Sequence, residues 1–186
     1  MSRFSTQSLP LEGLKRLVRQ RLSDSRGSLT RMFCAHELEN AGWQKSIAQV
    51  NHTHTARQGT VRGLHYQLPP HAEMKLISCI RGEVWDIAVD LRANSPTFLK
   101  WHAEYLTSDN GCSLLIPEGF AHGFQCLTND VELLYFHSSA YVSTFERGIN
   151  PQDAILAIDW PMPITELSPK DFAHPKLDVS FKGLEI

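Results

Sequence analysis

From Glu83 to Arg92 the chain alternates. Trp85, Ile87, Val89 and Leu91 fall on one side of an extended segment, and Asp86, Ala88, Asp90 and Arg92 on the other. A period of two marks a β-strand, because successive side chains leave opposite faces of the pleat. Shorter runs at Lys75–Ile80, Trp101–Leu106, Ser113–Ile116, Phe124–Leu127 and Glu132–His137 also read as strands. Turn formers separate them: Asn94-Ser95-Pro96, Ser108-Asp109-Asn110-Gly111, Pro117-Glu118-Gly119 and Thr128-Asn129-Asp130. Strand signals dominate from about Ile47 to Ser139, and many short strands at close spacing predict a sandwich or barrel. Before them, one short strand is expected over Leu14 to Leu22, followed by a turn at Asp24-Ser25-Arg26-Gly27. Helix signals lie at the edges. Cys34 to Ala41 is stopped by Gly42, and Ser168-Pro169-Lys170-Asp171-Phe172 places Pro at the first helical position. The tail from Ile149 is richer in Pro and reads as turns and short helices, and no internal repeat is visible. The fold class is all-β, and residues 1–186 are read as one domain, long enough to bury a real core.

Composition narrows the function classes. Hydrophobic residues make up 42% and charged residues 20%, with a net charge of −2, so the clustered basic charge of a nucleic-acid surface is missing. The nine histidines make that balance sensitive to mildly acidic pH. Four cysteines, Cys34, Cys79, Cys112 and Cys126, are widely spaced with no C-x-x-C pair, and are expected to be reduced thiols, mostly buried. The start MSRFSTQSLP has no apolar core of a leader, and no later apolar run approaches a membrane span. A soluble cytoplasmic protein without a membrane partner is expected.

Two stretches carry chemistry. Gly111-Cys112-Ser113-Leu114-Leu115-Ile116-Pro117-Glu118-Gly119-Phe120-Ala121-His122 has the spacing of the second cupin motif. Gly59-Thr60-Val61-Arg62-Gly63-Leu64-His65-Tyr66-Gln67 follows the first motif only in part. A metal-binding cupin has a second histidine where this chain has Gln67, and a glutamate where it has Lys75, seven residues before Gly82. A cation held by imidazole and carboxylate gains little from an amide and is repelled by an ammonium. The expectation is a cupin jelly-roll barrel with short peripheral helices, no metal, no cofactor, and proton-transfer chemistry in the place of the metal.

Ordered motifs extend the likeness. Val61-Arg62-Gly63-Leu64-His65-Tyr66-Gln67, Lys75-Leu76-Ile77, Val89-Asp90-Leu91-Arg92, Ser95-Pro96-Thr97-Phe98 and Ile116-Pro117-Glu118-Gly119-Phe120-Ala121-His122-Gly123-Phe124 belong to this set. So do Leu134-Tyr135, Glu146-Arg147-Gly148-Ile149, Ile158-Asp159-Trp160-Pro161 and Leu167-Ser168-Pro169-Lys170-Asp171. Together, from about Leu11 to Leu177, they resemble the dTDP-4-dehydrorhamnose 3,5-epimerase family. The resemblance implies a jelly-roll homodimer that needs no metal and inverts carbons beside the 4-keto group of a nucleotide-diphosphate deoxysugar. It places the base on His65 with Asp171 as its partner, the proton-donating tyrosine on Tyr135 and a conserved lysine on Lys75. Nucleotide and sugar contacts fall on Arg26, Gln49, Asn51, Arg62, His122, Glu146 and Lys170. The chain departs from the pattern at Arg31, where the family has a glutamate, and at Val50, usually acidic. It also departs at Phe136, usually lysine, and at His137, usually a small or hydroxyl residue.

The residue types suit that chemistry. A C–H beside a ketone is weakly acidic, so a base near neutral pKa and a charge at the enolate oxygen are both needed. A carboxylate on the second imidazole nitrogen of His65 would fix its tautomer. Inversion needs a proton from the opposite face, which the phenol of Tyr135 can give. Lys75 would hold the enolate charge in a cavity where it counts for more than in water. Arg62 and Arg26 would clamp diphosphate. His122 either bonds the substrate or braces the turn after Gly119, and Tyr141 either stacks on substrate or packs at the surface. His52, His54, His71 and His174 read as structural or exposed. Competing readings are a metal-dependent cupin, a 3,4-ketoisomerase on the same fold, and a non-catalytic sugar-nucleotide-binding cupin. Binding alone needs neither an acid nor a base.

Overall fold

The computed structural model describes residues 2–186. Its strands are β1 (Phe4–Ser8), β2 (Lys15–Arg19), β3 (Arg21–Asp24), β4 (Gly27–Thr30), β5 (Gln49–Thr55), β6 (Thr60–Gln67) and β7 (Lys75–Arg81). They continue with β8 (Glu83–Asp90), β9 (Trp101–Thr107), β10 (Cys112–Ile116), β11 (Phe120–Cys126), β12 (Val131–His137), β13 (Glu146–Gly148) and β14 (Glu166–Leu167). Two short helices, α1 (Ala35–Glu39) and α2 (Pro169–Ala173), lie outside them. One sheet runs in the order β1-β2-β10-β7-β12-β5 and the second in the order β13-β6-β11-β8-β9, with β14 added to β6. The fold is an all-β cupin jelly roll. Among the described residues no helix is long and apolar enough to cross a membrane.

Three apolar clusters hold the layers. Ile77, Ala88, Leu114, Phe124 and Leu133 fill the space between the sheets. Leu64, Ile87, Val89 and Leu91 on the outside of the second sheet are covered by Leu156 and Leu184 from the tail. Leu76, Leu115 and Phe136 on the outside of the first are covered by Leu38, Ala41 and Trp43 from the α1 segment. Each sheet is therefore apolar on both faces. This explains why the 83–92 alternation sorts residues between two buried environments and leaves Asp86 and Asp90 fully buried.

The N-terminal expectation was too simple. Leu14 to Leu22 divides at Gln20 into β2, which pairs with β10, and β3, which leaves the sheet to form an exposed hairpin with β4. Arg19 turns inward at the break and donates to the Gly111 carbonyl. β1, with one buried residue in five, carries too little apolar pattern to be read as a strand and owes its form to pairing with β2.

A bulge in β6 aims the site. His122 lies opposite His65 and Phe124 opposite Arg62, so three steps on β6 match two on β11. The extra residue resets the alternation, so that Arg62 and His65 line the same cavity. Gly63 sits in the bulge at φ 126°, and a Cβ there would lie 2.6 Å from Gly123 Cα. Replacing Gly63 with Ala forces backbone apart at this point. We expect ~1–3 kcal/mol of strain and a fall in Tm of roughly 3–10 °C by circular dichroism, together with a loss of activity larger than the loss of stability.

Candidate active site

A cavity of about 670 Å³ opens between the sheets at the β6 end. From the second sheet, β6 contributes Arg62 and His65, and β11 contributes His122. From the first, β7 contributes Lys75, β12 contributes Tyr135 and His137, and β5 contributes Asn51 and Thr53. Asp171 enters from α2, and Glu73 from the loop before β7. Period two along β12 puts Tyr135 and His137 on one face, and the strand continues through His137.

The start of α2 sets the histidine–carboxylate pair. The Ser168 hydroxyl accepts from the Asp171 backbone N–H at 3.0 Å, and Pro169 occupies the first turn. That cap holds Asp171, 4% exposed, against β6. His65 Nε2 donates to Asp171 Oδ1 at 2.6 Å, and the Gly63 N–H donates to Oδ2 at 3.5 Å. The proton on Nε2 leaves Nδ1 as the basic atom. Burial alone would raise Asp171; the His65 bond and charge, with Ser168 and Gly63, more than offset it and hold the carboxyl below its ordinary range.

Tyr135 is 8% exposed and its ring lies 5.9 Å from those of both His122 and His137. Burial, reinforced by the Asp86 carboxylate, pushes its phenol far above the usual value, so it stays protonated at neutral pH. His122 Nε2 donates to Asp86 at 3.0 Å beneath the cavity floor. Asp86 is fully buried, and desolvation raises its pKa despite that partner. Lys75 Nζ bonds Glu73 Oε1 at 3.1 Å and the His65 carbonyl at 3.2 Å. His137 Nδ1 donates to Glu73 Oε2 at 3.1 Å.

The rim is more open. Arg62 Nε donates to Thr55 Oγ1 at 3.0 Å and its Nη2 to the His54 carbonyl at 3.3 Å, while the side chain lines the cavity. Glu146 Oε2 accepts from Tyr141 OH at 2.7 Å and Lys170 Nζ at 2.5 Å. The Lys170 and Tyr141 bonds bring Glu146 below its usual value against the opposing pull of burial. Gln49 Nε2 donates to Asn51 Oδ1 at 3.0 Å, and Gln49 Oε1 accepts from the Tyr141 N–H at 2.9 Å. Arg26 stands apart. It lies at the tip of the β3–β4 hairpin, its side chain 87% exposed and paired with Asp24 beside it.

Sequence reasoning gave no functional role to four residues that lie at or beside the cavity. Glu73 has no local signal, because only the fold brings its loop under Lys75 and His137. Asp86 lies on the face that carries Asp90 and Arg92 in the 83–92 alternation, which reads as solvated. His174, read as structural or exposed, sits edge-on to His65 with ring centroids 5.5 Å apart. Burial and the His65 charge lower its pKa. His54, likewise set aside, borders the cavity while its Nε2 bonds Asp130.

As for a metal, among the described residues one group brings three ligand atoms within 4.8 Å: His65, Asp171 and His174. Two of them are already engaged with each other in the 2.6 Å hydrogen bond. At the cupin ligand positions, the Gln67 amide is consumed by structure. Its Nε2 donates to the His71 and Ala140 carbonyls and to Glu73, and its Oε1 accepts from the Val142 N–H. Lys75 brings an ammonium.

The family model of dTDP-4-dehydrorhamnose 3,5-epimerase matches residues 8–178. The chain belongs to the dTDP-4-dehydrorhamnose 3,5-epimerase family. The enzyme of that name from Sinorhizobium fredii is 37% identical over 97% of this chain and 94% of its own length. That from Shigella flexneri is 44% identical over 82% of this chain and 84% of its own. Among solved structures, dTDP-6-deoxy-D-glucose-3,5-epimerase from Legionella pneumophila in complex with dTDP-4-keto-L-rhamnose superposes with a TM-score of 0.90. It is 33% identical, and the match covers 98% of this chain and 99% of that one. Membership makes the chain a sugar-nucleotide epimerase.

The shift of Asp171 carries a pH sign. Its folded pKa lies below the unfolded value, so its stabilisation is complete above about pH 4 and is lost as pH falls through the folded value. Asp171→Asn removes that acid-side loss. Thermal unfolding followed from neutral pH downward should show a shallower decline of Tm below about pH 4 in the variant than in the wild type.

Proposed function

We propose that this epimerase acts on a dTDP-linked 4-keto-6-deoxysugar and inverts C3 and C5, with His65 as base and Tyr135 as acid. One observation carries the reading. The base stands on β6 of one sheet and the phenol on β12 of the facing sheet, across one cavity. Inversion needs this arrangement, since the proton must leave one face of the ring carbon and return to the other. His65 Nδ1 takes the proton from the carbon beside the ketone. The C–H electrons move onto the ketone oxygen, and the Lys75 ammonium faces the charge that forms there, in a site where a fixed donor outweighs water. Tyr135 then gives its proton to the opposite face. Asp171 keeps the His65 tautomer and balances the imidazolium during the enolate's lifetime. No metal is needed, because Lys75 brings an ammonium to a ligand position and the Gln67 amide is held by Val142, His71, Ala140 and Glu73. The four unpaired thiols suit a reducing cytoplasm.

The substrate's diphosphate points to a homodimer. Arg62, Lys75 and Lys170 line the cavity together with four carboxylates, Glu73, Glu146, Glu166 and Asp171, so one chain brings no surplus of positive charge to an anionic ligand. Arg26 is held out on a hairpin whose cross-strand pair Leu22 and Leu29 is exposed at 36% and 66%. Two exposed leucines beside an arginine that is 87% exposed and bonded only to its neighbour Asp24 support a hairpin that packs on a second copy and lends it a cation.

Incubation with dTDP-4-keto-6-deoxyglucose in D₂O tests the roles. His65→Ala should lose deuterium wash-in at both carbons by about 10²–10⁴-fold with dTDP affinity nearly intact. Tyr135→Phe should keep wash-in but yield little inverted sugar. Wild-type exchange in His65→Ala would remove the assigned base. Light scattering at micromolar concentration should give twice the chain mass, shifted toward the monomer by Leu29→Asp; a monomeric wild type would defeat the dimer.

A further inference from the structure

Lys75 is not a free cation. Its ammonium touches the Glu73 carboxylate at 3.1 Å, and both side chains are over nine-tenths buried. Glu73 is an anion held there by design of the surroundings. Against the cost of burial, Lys75 and His137 bring its pKa below the usual value, and Gln67 adds a hydrogen bond at 3.2 Å. An enolate oxygen approaching Lys75 therefore meets a neutral pair. The third member decides the balance. His137 sits opposite Lys75 in the β7–β12 register and bonds the other Glu73 oxygen. With neutral His137 the group has no net charge, and with imidazolium it carries one positive charge.

Resting on the proposed reaction above, we propose that His137, acting through Glu73 and Lys75, is a positioning residue whose protonation supplies the net positive charge that stabilises the enolate. The groups that face His137 are few. They are Glu73 from the β6–β7 loop, Lys75 from β7, Gln49 and Asn51 from β5 and Tyr135 on β12 itself, with His65 and Gln67 of β6 beyond Lys75 and Glu73. Only Glu73 and Lys75 among the direct neighbours are charged, and the carboxylate is in contact. Asn51 Nδ2 lies 3.4 Å from His137 Nε2 as donor to the neutral ring, so protonation of that nitrogen requires the amide to turn and give up the 3.0 Å bond that its Oδ1 accepts from Gln49 Nε2. The phenol of Tyr135 does not set an alkaline limit within the working range, since burial drives it far upward. Loss of the His137 proton is then what lowers activity on the alkaline side.

The experiment is a double-mutant cycle read as kcat for deuterium wash-in from dTDP-4-keto-6-deoxyglucose, from about pH 6 to about pH 9. His137→Gln should lower kcat about tenfold at the acid end, lose the alkaline limb, and converge with wild type at high pH. Glu73→Gln should free the Lys75 charge and extend activity to higher pH. The double variant should recover to within about threefold of wild type, because removing the carboxylate cancels the need for the imidazolium. Multiplied losses in the double variant, or a wild-type alkaline limb in His137→Gln, would overturn the proposal. A measurement on the unaltered protein guards against variants that fail to fold: the NMR titration of the His137 ring should follow the alkaline limb, and a ring that stays neutral throughout would overturn it. His65→Ala serves as the separate arm. If it stops wash-in while His137 and Glu73 variants behave as wild type, the proposed reaction stands and only this inference falls.

Discussion

Carboxylates that water barely reaches must be paired where they stand, and the interior of this barrel is arranged around that requirement. Asp86 is bonded to His122, Asp171 to His65, and Glu73 to both His137 and Lys75. An unpaired buried carboxylate would take up a proton or disrupt the packing around it. Each pairing is made across elements: β8 to β11, α2 to β6, and the loop before β7 to β12. The pairs thereby fix the relative placement of strands as firmly as the apolar clusters do, and they leave a ring of histidines with defined tautomers around one cavity.

The same pairings separate acid from base. Asp171 holds the Nε2 proton of His65 and leaves Nδ1 free for the base role proposed above. Burial, reinforced by Asp86, keeps the Tyr135 phenol protonated at neutral pH, as the proposed acid role requires. In the proposed reaction one cavity can therefore both remove and return a proton. Because these groups belong to opposite sheets, their separation is set by the sandwich itself and does not depend on a mobile loop.

Much of this was legible in the chain. Alternation over 83–92 and the evenly spaced turns identified the sheets, and the Ser168-Pro169 signal located α2 and with it Asp171. The pattern could not distinguish a solvated polar face from a lined interior. Asp86 and Asp90 look like surface residues until both sheets are seen to be covered on their outer sides by the α1 segment and the tail. Motif spacing found His65 and Lys75, but Arg62 falls three positions from His65, which strict alternation would put on the other face; the Gly63 bulge reconciles them. Glu73 was invisible, because nothing in His71-Ala72-Glu73-Met74 distinguishes a loop carboxylate in solvent from one under a lysine. The hairpin that carries Arg26 also escaped, since β3 and β4 have almost no buried positions to generate a pattern.

Replacing a metal site by side chains changes what a barrel of this kind can control. A bound divalent ion delivers a fixed positive charge and takes its ligands out of acid–base chemistry. Here Lys75 occupies a ligand position, and its charge is shared with Glu73 at 3.1 Å. The sum at the enolate position is then a small difference between opposing charges in a medium that screens poorly. Such a difference responds to a single proton, and among the described residues the only titratable side chain besides Lys75 bonded to Glu73 is His137. A buried lysine–glutamate pair alone would be a poor electrophile. The third group gives the pair a sign, which makes the residue beside the tyrosine as consequential for enolate formation as the lysine that faces the enolate.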